Sequence, residues 1–277
     1  MLPKTPAPER AIKIEPLTHI AFAPFGEVIE NPQRSGNDAI SHVAANQGSA
    51  TKYLNITHMS NNYNLAASRR PASVSMNMFT CKPRELQSKD GKRLFPVKIL
   101  ERHPFTPQTF VPLGVGAEAK TQYLVIVAPT LPSTSPAKGE SQAPYPFPEL
   151  RRKRSLKERL LGARPNPFTN DHSPMTTPPV ASPSTPAGVS VKGPGLPDLQ
   201  NMHAFIVRGD QAVTYGPGTW HAPMVVLGEK PVDFLVTQFV NGVPLEDCQE
   251  VELESRDSGE GLAVAVEGER IREKAKL

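Results

Sequence analysis

The placement of proline constrains this chain more than any other feature. About half of its 31 prolines fall between Pro129 and Pro197. Proline fixes φ and removes a backbone donor, so such a stretch builds neither helix nor sheet interior. The stretch is also rich in Ser and Thr. Its composition predicts a disordered surface insertion over 129–195. Within it, Ser155 and Glu158 match a capping box and Gly162 sits at a stop position, but a helix this short is marginal alone and the whole segment reads as disordered. The remaining 200 or so residues are roughly what one hydrophobic core needs.

The same segment explains the basic charge. It holds nine Lys/Arg and four Asp/Glu, a net of +5, against +4 for the whole chain. The remainder is therefore close to neutral, which argues against a nucleic-acid-binding face. Two cysteines, Cys81 and Cys248, make no disulfide framework and suit a reducing compartment, with Cys81 expected as a buried small hydrophobe. Met1 to Arg10 has three prolines and no apolar core, so it does not read as a secretory signal. No apolar run is long enough for a membrane span.

Outside the insertion the chain reads as β. Ala11 to Ile14, Tyr53-Leu54-Asn55-Ile56, Val74 to Phe79, Pro96 to Leu100, Thr109 to Pro112 and Tyr123 to Val127 are strand-like, most with period-two alternation. Ala204 to Val207, Ala212 to Tyr215, Pro223 to Leu227 and Val232 to Phe239 follow after the insertion. Thr18 is placed to cap a single helical turn, and Leu199 to Ala204 reads as another. Arg34 to Ala50 reads as loop. Many short strands at close spacing predict a sandwich or barrel. One domain is expected over 11–128 and 196–253, with a charged tail from 254 to 277.

Two stretches carry chemistry. In the first, Val97, Ile99, Glu101 and His103 share strand parity, so a regular strand turns all four one way. A carboxylate beside an imidazole would orient the ring, and Pro104 then ends the strand. The same residues also read as a surface cluster at a strand end. In the second, Gly216-Pro217-Gly218 makes a tight turn just before Trp220 and His221. Trp220 reads equally as a pocket wall and as a core anchor. Gly218-x-x-His221 after Gly209-Asp210 also resembles half of the cupin metal motif. His103, Gln108 and His221 are then the candidate ligands, a thin set for a divalent metal. No cofactor is required by this pattern. His19, His58 and His172 read as surface or loop residues. His42 lies in a segment, Ser41 to Gly48, that reaches toward the same region. Lys82, just past a strand, is a candidate for an anionic substrate group.

Several of these segments resemble one family. Ala21-Phe22-Ala23-Pro24-Phe25-Gly26-Glu27-Val28-Ile29-Glu30 is similar to the opening signature of the ureidoglycolate lyases. Leu100 to Pro104 with Gln108 to Leu113 resembles their central motif. Trp220-His221-x-Pro223 and Val232 to Leu235 resemble their C-terminal motifs, and Asn46-Gln47-Gly48 with Lys52-Tyr53 also fits. The resemblance implies a cupin-like β-barrel, mainly β with a few short helices, that forms a homodimer. It implies cleavage of ureidoglycolate to glyoxylate and urea in allantoin breakdown, with the metal left open. His103 and His221 then serve as the acid–base pair and Glu101 orients one of them. Gln108, Tyr215 and Trp220 line the substrate. Lys82, or backbone N–H groups of the Gly216 turn, takes the substrate carboxylate. Two positions depart from the family pattern: Thr80, where an arginine would suit that carboxylate, and Ala222, where a second histidine is usual. A metal-dependent cupin enzyme on another small acid and a weakened relative acting as a binding protein are the rival readings. The final Ala275-Lys276-Leu277 resembles a peroxisomal signal, against a cytoplasmic default.

Overall fold

A computed structural model of the chain describes residues 2–37, 40–119, 121–131, 195–255 and 261–266. The stretch from 132 to 194, with the capping-box segment, His172 and most of the insertion expected to be disordered, lies outside the described residues, as does the C-terminal tripeptide.

The period-two segments form two sheets and a hairpin, so the fold class is mainly β, as expected. The larger sheet has 11 strands. Its centre is Gln122–Ala128, which pairs with His203–Val207 on one side and with Trp220–His221 and Val225–Leu227 on the other. From Trp220–His221 the order continues through Ile99–Arg102 and Gln249–Ser255 to Lys4–Ala7. From His203–Val207 it continues through Arg10–Pro16, Leu262–Val266 and Lys92–Pro96 to Gln87–Lys89. The smaller, antiparallel sheet runs Gly26–Ile29, Ala212–Tyr215, Gln108–Leu113, Val232–Val240, Ser73–Cys81.

The central strand explains the layering. Gln122–Ala128 reads QYLVIVA, and its last six residues are buried. An unbroken apolar run means that both faces are covered. Tyr123, Val125 and Val127 face the small sheet and pack with Phe205, Phe110, Val213, Phe234 and Val236. Leu124, Ile126 and Ala128 face the other way, into a cluster that holds both Ala7 and Phe95. Those two residues come from opposite ends of the large sheet, so that sheet curls around its own core. Each such buried aliphatic or aromatic side chain contributes about 1.5–3 kcal/mol.

Among the described residues the α-helices are short: His19–Phe22, Pro32–Ser35 and Pro244–Asp247. Thr18 caps the first through its side chain, as its type and place predict. Three expectations need correction. The segment from Arg34 to Ala50 is not simply loop: Asn31 caps Pro32–Ser35, and His42–Ala45 pairs with Ala50–Tyr53 in a hairpin. Its alternation is weak because the hairpin is largely exposed on both faces. The helical turn at Leu199 stops at Asn201, because His203 already pairs as strand. The chain after residue 253 is not only charged tail. Leu262–Val266 lies between Arg10–Pro16 and Lys92–Pro96 with four of its five residues buried. Among the described residues no helix is long and apolar enough to cross a membrane.

Candidate active site

Glu101 and His221 are direct cross-strand partners, and His103 follows Glu101 just past the strand end. Glu101 and His103 are expected on one face from a single parity running back to Val97. The structure reaches that arrangement differently. The chain is irregular at Val97 and Lys98, and Val97 joins Leu100 on the opposite face. Parity holds only from Ile99 onward.

Backbone carbonyls fix both imidazoles. His103 Nδ1 donates to the Asp247 carbonyl at 2.6 Å, and His221 Nδ1 to that of Thr219 at 2.9 Å. A carbonyl only accepts, so each Nδ1 carries hydrogen and each Nε2 is the working atom. The Nε2 of His221 lies 3.1 Å from Gln108 Oε1 and 3.5 Å from Glu101 Oε1. Two acceptors thus stand ready for a proton on that nitrogen. The two rings are 5.7 Å apart between centroids. Burial alone would push the Glu101 carboxyl up; the His221 hydrogen bond and the charges of His221 and His103 outweigh it and hold it below the ordinary value.

Tyr215 stacks on His221 at 4.0 Å with the planes 8° apart. Its phenol is held far above its ordinary value, first by burial and then by the negative charge of Glu101, so it remains a neutral hydroxyl. Phe22 and Phe110 wedge its ring.

The small sheet supplies a polar row beneath the histidines. Gln108 pairs with Tyr215. Thr109 pairs with Thr237, so one step on Gln108 stands across from Gln238, which itself pairs with Ser75. Tyr215, Gln108, Gln238 and Ser75 therefore cross four strands at one level on one face. Gln238 was missed in the sequence. The signal was available: Phe234, Val236 and Gln238 share parity in Val232–Val240, and the polar one comes last.

Three expected site features lie elsewhere. Trp220 precedes His221 on the same strand, so it points to the opposite face. There it is fully buried in the large-sheet core, under the Arg102 guanidinium at 4.5 Å, with its Nε1–H donating to Gly195 O. Trp220 is a core anchor and not a pocket wall. Lys82 follows Cys81 at the far end of the strand that carries Ser75, about 20 Å along at a strand's rise. It is exposed there and does not reach the histidines. The Gly216 turn offers no anion cradle either. Its amides already donate: Gly216 to Phe25 O, Gly218 to His103 O and Thr219 to Gly216 O. What the turn does is brace the loop, and Gly26 beneath it must be glycine, since a Cβ would sit 1.9 Å from the Thr214 carbonyl oxygen.

The departures from the family pattern also resolve. Thr80 bonds Asp233 on the outer face of the small sheet, away from the cluster. Ala222 is buried in the large-sheet core. His19 and His58 pair with Glu30 and Glu27 outside the site, and His42 packs on Tyr53 in the exposed hairpin. Cys81 is only half-buried, with burial pushing its thiol up, while Cys248 is the buried one.

A family model described as ureidoglycolate lyase matches residues 9–258. The chain belongs to the ureidoglycolate lyase family. A ureidoglycolate lyase of Schizosaccharomyces pombe is 28% identical over 246 residues, covering 89% of this chain and 93% of that protein. One from Saccharomyces cerevisiae is also 28% identical, over 85% of this chain and 91% of its own length. One from Pseudomonas aeruginosa is 28% identical, with 82% of each chain covered. The matched range includes Glu101, His103, His221 and the polar row.

The cluster also has the donor set of a cation site. Glu101, His103 and His221 each offer a ligand atom, all within 4.8 Å of one another. Two imidazoles and one carboxylate suit a divalent transition metal, and the carbonyl bonds at both Nδ1 atoms are the outer support such ligands take. Glu101 stands with His103 and His221 in that donor set, where the sequence pointed to His103, Gln108 and His221.

Proposed function

We propose that this protein is an enzyme that cleaves ureidoglycolate to glyoxylate and urea, a carbon–nitrogen lyase of the amidine-lyase type in allantoin catabolism. The observation that carries the reading is the convergence of His103 and His221 on Glu101 in a chain of this family.

The substrate bears a hydroxyl, a carboxylate and a ureido nitrogen on one carbon. A base removes the hydroxyl proton, the C–O bond becomes C=O, the C–N bond breaks, and an acid protonates the departing nitrogen. One proton leaves the substrate and one arrives. His221 is the base. The proton it gains at Nε2 sits beside Glu101 and Gln108, both acceptors. His103 is the acid and donates from Nε2. Gln108 and the neutral Tyr215 hydroxyl hold the hydroxyl and ureido groups. A positioned acid or base is worth about 100- to 10,000-fold in rate.

A second reading has one observation in its favour. Of the groups expected to hold the substrate carboxylate, Lys82 is remote and the Gly216 turn is engaged, which leaves a positive charge at the cluster itself as a candidate. A divalent cation held by Glu101, His103 and His221 would bind that carboxylate and acidify the substrate hydroxyl. Purified protein incubated with ureidoglycolate, with and without EDTA, and followed for glyoxylate tests both. No glyoxylate under either condition refutes the assignment. Activity that survives thorough chelation, with no metal found in the protein, selects the acid–base reading.

A homodimer belongs to the same proposal. Ser73–Cys81 is an edge strand, and its Val74, Met76 and Met78 are exposed. Light scattering in solution tests this. The cytosol is the proposed address, with peroxisomal import through Ala275-Lys276-Leu277 as the alternative. A fluorescent fusion that keeps this C-terminus and stays diffuse would rule out import.

A further inference from the structure

Two polar atoms inside the small-sheet row are buried and receive no hydrogen bond among the described residues: Tyr215 Oη and Gln238 Oε1. Gln238 is 5% exposed. A buried acceptor left without a donor destabilises a fold, so it persists where something else supplies the donor. Its neighbours narrow the choice. Gln108 is beside it on the next strand and already faces His221 Nε2. On the other side Ser75 takes a bond from Asn77, which is exposed. Gln238 thus lies between the reacting cluster and the open edge strand, at a level with Gln108. Among the described residues no ionisable side chain pairs with it, so a neutral hydrogen-bond donor suits it better than an ion.

Resting on the ureidoglycolate reading, we infer that Gln238 is the specificity-determining residue for the terminal NH2 of the ureido group. That nitrogen is the part of the substrate farthest from the hydroxyl and the breaking C–N bond. With the hydroxyl at the histidines, it extends along the row past Gln108 to Gln238. Gln238 Oε1 accepts one N–H there, and Gln108 and Tyr215 hold the part nearer the reacting carbon. A substrate with carbon or a methylated nitrogen at that end would leave Oε1 unsatisfied and be rejected.

The test compares wild type with Gln238→Leu and the unbranched Gln238→Met, using ureidoglycolate and its analogue methylated on the terminal nitrogen. The contact is equal in ground and transition states, so its loss raises KM and leaves kcat nearly unchanged. We expect kcat/KM for ureidoglycolate to fall roughly 3- to 10-fold, the worth of one neutral hydrogen bond. The wild-type preference for the unmethylated substrate should disappear in both variants. Removing an unpaired buried amide should leave the melting temperature equal to or above that of wild type. Variants that keep the wild-type KM and preference overturn the inference, as does a lowered melting temperature with KM unchanged, which marks the amide as structural. Failure of wild type itself to release glyoxylate removes the functional reading, and this inference with it.

Discussion

Tyr63→Phe should separate the support of the site from its chemistry. Tyr63 is buried in a small cluster with Ala66, Ala72 and Phe239, its ring 5.6 Å from that of Phe105. Its hydroxyl donates to Asp247 Oδ1 at 2.7 Å and lies 3.0 Å from the Phe239 carbonyl oxygen. The Asp247 carboxylate is fully buried and also accepts from the Asn241 and Gly242 amides, each at 2.8 Å. The carbonyl of the same residue receives His103 Nδ1–H. One side chain therefore anchors the backbone that orients a candidate catalytic histidine. Phenylalanine keeps the ring and its packing, so the change isolates the hydroxyl. A hydrogen bond to a charged group contributes about 1.5–3 kcal/mol, and the buried carboxylate has other donors, so we take about 2 kcal/mol. For a domain of this size that is about 4–8 °C in Tm.

Burial, and after it the Asp247 charge, hold the Tyr63 hydroxyl well above its ordinary value. A group raised on folding stabilises fully below its unfolded value, near pH 10 for tyrosine, and loses that contribution only as pH rises through the folded value. The gap between wild type and variant should therefore be the same at about pH 7 and about pH 9. The assay is guanidinium unfolding at both pH values, with kcat measured alongside. We expect kcat to fall by less than the roughly 100-fold minimum for loss of an acid or base, since His103 is present but less well held. A stability change under about 0.5 kcal/mol, within the range of an ordinary surface substitution, would refute the reasoning.

His103→Ala and His221→Ala should each lower turnover by roughly 100- to 10,000-fold in protein that still folds, and a variant that keeps half the wild-type rate removes that histidine from the mechanism. Replacing 133–193 by a short Gly/Ser bridge should leave fold and activity largely intact. Leu131 N bonds Leu196 O and Thr130 bridges Pro197, so the two ends of the insertion already meet; insoluble protein after the deletion would count against this. Gly195→Ala, by contrast, should destabilise measurably in thermal melts, because a Cβ there meets the Leu131 carbonyl oxygen at 1.9 Å beside the Trp220 hydrogen bond.

The parts of this molecule that were legible in the sequence are those governed by local period. The strand at Tyr123 to Val127 and the strand at Val232 to Phe239 announce themselves by composition and alternation. Thr18 announces its helix because a cap acts over three residues. Glu101, His103 and His221 were legible as a set only through motif and turn chemistry, and the supposed parity from Val97 was wrong in detail. What stayed hidden was set by pairing between distant segments. Leu262–Val266 looks like a short apolar interlude in a charged tail until Arg10–Pro16 and Lys92–Pro96 are placed on either side. Trp220 is ambiguous until the face of its two-residue strand is known. Lys82 is near the motifs in the sequence but seven residues along a strand from Ser75, and only register shows the distance.

The charge of the substrate imposes a condition on any mechanism here. Ureidoglycolate is an anion, and the site already holds the carboxylate of Glu101, kept below its ordinary value. Two negative groups in a buried space repel strongly, and desolvating the second is costly without a positive partner. Arg102 is close in sequence but turned to the other face, where it donates to Gln249 and lies over Trp220. Positive charge at the Nε2 side of the two histidines would meet that condition. If protons supply it, the substrate prefers the protonated cluster while the base must be unprotonated to act, so kcat/KM has a maximum and falls on both sides. If a divalent cation supplies it, the same three residues must be deprotonated to bind the metal, and activity falls only on the acid side of that range. The shape of the alkaline limb, measured before and after chelation, therefore reports which positive charge the buried cluster of Glu101, His103 and His221 uses.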